Sequence, residues 1–86
     1  MEEKVTISDI KVGDLVLNKR TNDRSVLLRI SKIVQDNRAD FFETFSDQHH
    51  TGYFEKSLIS GFQKISEGLW FYDFWSYWRE KYKVDS

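Results

Sequence analysis

Residues 69–82 read L-W-F-Y-D-F-W-S-Y-W-R-E-K-Y, and the way this stretch folds decides the architecture of the chain. It holds eight of the fourteen aromatic residues, including all three tryptophans. Each such ring left in water forgoes roughly 1.5–3 kcal/mol, so the stretch must be buried against something. On a helical wheel Trp70, Phe71, Phe74, Trp75, Trp78 and Tyr82 share one arc, and Asp73, Ser76, Arg79 and Glu80 lie opposite. Lys81 is the one charge inside the arc, and its stem can snorkel outward. As a strand, the same residues would put aromatics on both faces. The spacing therefore predicts an amphipathic helix over residues 67–82. Ser66 and Glu67 suit its start, and Arg79, Lys81 and Lys83 suit the negative end of its dipole. Tyr72 and Tyr77 fall off the arc, which marks them as candidate contacts for a protein partner.

Helices shorter than about 12–15 residues are marginal alone in water, so the preceding chain must supply a docking surface. Ile10 and Val12 are apolar anchors ahead of the Gly13-Asp14 turn signal. Leu15-Val16-Leu17 reads as a strand with Leu15 and Leu17 on one face. The polar run 18–25 follows as a loop with Asn22-Asp23 at its tip. Val26 to Gln35 is the strongest strand, dense in β-branched residues. Its alternation slips after Ile30, which predicts a bulge or bend near Ser31-Lys32. Asp36 to Ala39 reads as a turn and Asp40 to Phe45 as a third strand. Asp47 to Gly52 reads as a loop and Tyr53 to Leu58 as a fourth strand, with Phe54 inward. After a Ser60-Gly61 turn, Phe62 to Ile65 gives a fifth.

Five short strands with polar turns and a terminal helix fit a strongly bent antiparallel barrel. The run I-K-V-G-D-L-V-L at Ile10 to Leu17 resembles the entry into the first strand of SH3-like barrels. The bent strand Val26–Val34 and the Ser60-Gly61 step resemble that superfold too. The resemblance spans residues 7–65 and implies a mainly β fold: a five-stranded SH3-like barrel carrying the C-terminal aromatic helix, in one domain over residues 1–86. It implies no single activity, because small barrels serve many.

Composition narrows the function. The 86 residues contain no cysteine, which excludes disulfides and cysteine-ligated zinc. No apolar run approaches the roughly 20 residues of a membrane span, and no signal-peptide core is present; a cytoplasmic protein is expected. The four glycines form no phosphate-cradling pattern, and no nucleophile stands beside a base, so neither catalysis nor a cofactor is expected. His49-His50, with Asp47 nearby, lacks a third metal ligand and reads as a loop.

Charge is uneven although the net is only −1. Residues 19–38 carry Lys19, Arg20, Arg24, Arg29, Lys32 and Arg38 against Asp23 and Asp36, a candidate phosphate-contacting face. Residues 39–55 carry only acids: Asp40, Glu43, Asp47 and Glu55. Among Phe41, Phe42, Phe45, Tyr53 and Phe54, alternation sends about half to the core, and an outward Phe42 is a further candidate contact. These features favour a non-catalytic binding or adaptor module for a protein partner. A nucleic-acid-binding barrel is the alternative, and a phage or mobile-element accessory protein that inhibits a host factor is a third.

Overall fold

The computed structural model describes residues 4–45 and 51–81, apart from the side chains of Trp78 and Lys81. The described residues form six strands: β1 (Leu15–Thr21), β2 (Arg24–Val34), β3 (Arg38–Glu43), β4 (Thr51–Glu55), β5 (Gln63–Ser66) and β6 (Leu69–Asp73). Two short helices, α1 (Lys56–Ile59) and α2 (Phe74–Lys81), and a 3-10 turn at Ile7–Asp9 complete the order. The strands make one sheet in the order β4-β3-β2-β1-β6-β5, with β4 and β5 at its edges. All pairs are antiparallel except β1 with β6, which is parallel.

The fold is thus mainly β, but the expected closed five-stranded antiparallel barrel is corrected to an open, mixed sheet of six strands. The extra strand comes from the aromatic stretch. Leu69–Asp73 is β6, and only Phe74–Lys81 is helical within the expected helix over residues 67–82. The physical reason is position. β6 lies inside the sheet between β1 and β5, and its alternate residues are apolar on both sides: Trp70 and Tyr72 enter the core while Leu69 and Phe71 lie half-buried on the outer face.

Asp73 ends the strand and starts the helix. Its carboxylate accepts the Ser76 backbone N–H at 2.9 Å and the Ser76 hydroxyl at 2.8 Å, satisfying a donor that the first turn of α2 would leave orphaned. Gly68, at φ +79, sets the turn that feeds β6, a conformation other residues reach only with strain.

The long strand β2 bends as expected: its register with β3 shifts between Ile30 and Lys32. β4 is shorter than expected, because Lys56–Ile59 turns into α1. That single turn carries Ile59 and, three residues on, Phe62 into the core.

The core occupies one face of the sheet. Val16, Leu28, Ile30, Ala39 and Ile59 are fully buried. Around them Phe54 meets Phe62 edge-on at 4.9 Å and Tyr72 at 5.7 Å, and Phe62 lies 6.3 Å from Trp70. Such pairs add about 0.5–1.5 kcal/mol each beyond area burial. Phe54 belongs to edge strand β4 and Tyr72 to β6, with three strands between them. Their contact shows that the sheet curls over its core without closing. Gly52 faces Phe41 across β3–β4, where an added Cβ would lie 2.9 Å from the ring. Trp70 is tied at the far end, its Nε1–H donating to Asp14 at 3.0 Å; the same carboxylate oxygen accepts the Lys11 N–H at 3.0 Å.

Candidate binding face

The structure reverses one site expectation. Tyr72 is buried, only 4% exposed, and packs on Phe54, Phe62, Phe74 and Tyr77. It alternates with Phe71 on β6, so strand parity, not a helical arc, decides its direction. Tyr77 is half-buried against the same core, with its ring 6.3 Å from Phe74. Neither tyrosine is an exposed contact on a docked helix. Burial raises the Tyr72 phenol to about 12, with the Tyr77 and Asp73 charges adding to the rise, and its hydroxyl has no hydrogen bond among the described residues. His49, His50, Asp47 and Tyr82 lie outside the described residues.

Strand parity turns Phe42 to the outer face, where it is half-buried. Its neighbours across the sheet are Arg29 and Thr51, both exposed, while Ala39 and Phe41 on the alternate parity reach the core. Registers carry this outer face across the sheet. Leu15 lies between Leu69 of β6 and Arg29 of β2, and Arg29 beside Phe42 of β3. One row along, Leu17 lies between Phe71 and Leu27. Leu15, Leu17, Leu27, Phe42, Leu69 and Phe71 are all half-buried and form a ribbon over four strands. The sequence placed Leu15 and Leu17 together on one face. That face is the outer one, because Val16 and Asn18 point into the core.

Polar rows frame the ribbon. On one side stand Lys19, Ser25 and Asp73, and on the other Lys32, Asp40 and Tyr53. Burial alone would push the Asp73 carboxyl up. Hydrogen bonds from Ser76 and the nearby Lys19 charge outweigh this and hold it below the usual carboxylate range. Arg38 pairs with Asp40 at 3.2 Å and lies 4.9 Å over the exposed Tyr53 ring. Beyond the ribbon, Phe45 is 90% exposed beside a recess that Leu17 and Leu27 also line.

The six cations of residues 19–38 therefore divide. Strand parity puts Lys19, Arg29, Lys32 and Arg38 on the outer face. Arg20 takes the opposite parity and pairs with Glu43 at 3.6 Å, and Arg24 closes the β1–β2 hairpin opposite Thr21. Arg29 and Lys32 are exposed and make no salt bridge among the described residues. The hairpin did not gather the basic residues into one free patch.

Among the described residues no group of three or more His, Asp or Glu side chains could hold a metal ion, and no helix is long and apolar enough to cross a membrane. Comparison with known proteins returns no matching family model, no matching curated protein and no matching solved structure.

Proposed function

We propose that the protein is a binding module whose outer sheet face receives a protein partner. The observation that carries this reading is the ribbon of Leu15, Leu17, Leu27, Phe42, Leu69 and Phe71, framed by polar rows. An apolar centre within a polar rim is the anatomy of protein interfaces, where aromatic and arginine side chains supply most of the affinity. Arg29 lies inside the ribbon between Leu15 and Phe42, so a partner carboxylate set among apolar groups is its natural counterpart. Nucleic acid fits this face less well. Phosphate contacts need free cations, but Arg38 is matched by Asp40, Arg20 by Glu43, and Lys19 lies beside Asp73.

The test is affinity capture from the native cells with and without nuclease, comparing the wild type with Phe42→Ala and Arg29→Glu. Capture that survives nuclease and falls at least about tenfold in each variant, with melting temperature little changed, is the expected result; a tenfold loss is about 1.4 kcal/mol. Capture abolished by nuclease would move the reading to nucleic acid. Capture unaffected by either substitution would remove this face from the interface.

A further inference from the structure

On the inner face, opposite the ribbon, a cavity of about 210 Å³ is walled by Phe41, Phe54, Leu58 and Phe74, with Asn18, Arg20 and Tyr53 as polar members of its lining. Asn18 is 4% exposed, and its Oδ1 receives no hydrogen bond among the described residues. Its register partner on β6 is Tyr72, whose buried hydroxyl also lacks a partner there. Buried side-chain oxygens in folded proteins nearly always have a partner, so an acceptor like this beside an apolar cavity points to a donor. The size suits a single ring, since a cavity of ~150 Å³ lined by apolar side chains takes up benzene. The phenylalanine walls suit an aromatic ring, which packs against them offset or edge-on. Arg20 already faces Glu43 at 3.6 Å, which favours a neutral ligand over an anion.

We propose that this cavity binds a small neutral aromatic molecule bearing one hydroxyl, with the ring among Phe41, Phe54 and Phe74 and the hydroxyl donating to Asn18. The amide's terminal torsion has a broad minimum, so Oδ1 can turn to meet it. The ring and acceptor positions of this site lie on the inner face, and of its lining Tyr53 alone also belongs to the polar row that frames the outer ribbon.

The experiment is an NMR titration of the full chain with three probes: phenol; anisole, which keeps the ring and oxygen but loses the donor; and toluene. Phenol is expected to give saturable shifts centred on Asn18, Phe41, Phe54 and Phe74. It should bind about tenfold tighter than anisole or toluene, the worth of one hydrogen bond to a buried acceptor. In Asn18→Leu, phenol should fall to the level of toluene. Absence of saturable phenol binding overturns the proposal, as does equal affinity for the three probes in the wild type. A preference for phenol that survives in folded Asn18→Leu overturns it too. If that variant does not fold, the wild-type ratios decide alone.

Discussion

At the scale of the residue, Tyr72 shows how strand parity sets chemistry. One position away from it Phe71 lies on the outer face, while Tyr72 is sealed into the core with its hydroxyl unpartnered among the described residues. A buried polar group without a partner costs about 1–3 kcal/mol, so removing it should not hurt. Tyr72→Phe is expected to leave the protein as stable as the wild type or up to about 1 kcal/mol more stable at neutral pH, by chemical denaturation. The gap should widen in alkali. The unfolded phenol ionises near 10 but the folded one only near 12, so the unfolded state alone gains by ionising between them, and wild-type stability falls across that window. Denaturation midpoints of both proteins from pH 8 upward check this. A wild-type midpoint that tracks the variant through the window would mean that the ring is solvated.

At the scale of the element, the junction inside the aromatic stretch matters most. Asp73 holds the Ser76 N–H and hydroxyl, and so turns β6 into α2. Asp73→Ala should cost about 1 kcal/mol and lower the helical signal in circular dichroism. The carboxyl is held below its ordinary value in the folded chain, so its stabilisation is complete above the unfolded value and is lost as pH falls through the folded one. Melting temperatures of the wild type and variant should therefore converge in acid; a gap that stays constant would show that Asp73 acts without its charge. This boundary was legible in principle, since an aspartate immediately before a helical run is a capping signal, and Asp73 directly precedes Phe74. Placing the start at Ser66-Glu67 instead merged strand and helix. The bulge near Ser31-Lys32 was legible because the slip in apolar spacing lies within one strand. α1 was not, because a single turn offers too little periodicity to separate it from a strand. Only the spacing of Ile59 and Phe62 hinted at it.

At the scale of the whole molecule, the parallel pairing of β1 with β6 makes both the curled core and the outer ribbon. The apolar pairs behind this were visible in the sequence: Leu15-Val16, Leu27-Leu28, Phe41-Phe42 and Phe71-Tyr72 each supply one residue to either face. Which member points inward was not, because that depends on registers between segments far apart in the chain. Hence the outward turn of Phe42 was legible from alternation within one strand, whereas the burial of Tyr72 and the ribbon as a unit were not. The most direct measurement is photo-crosslinking in the native cells with a reactive aromatic residue placed in turn at Phe42, Phe71 and Ser57, the last exposed on α1. A protein adduct of one common mass at Phe42 and Phe71, and none at Ser57, is the predicted result. Adducts at Ser57 alone, with the outer positions silent in a folded protein that still captures its partner, would contradict it.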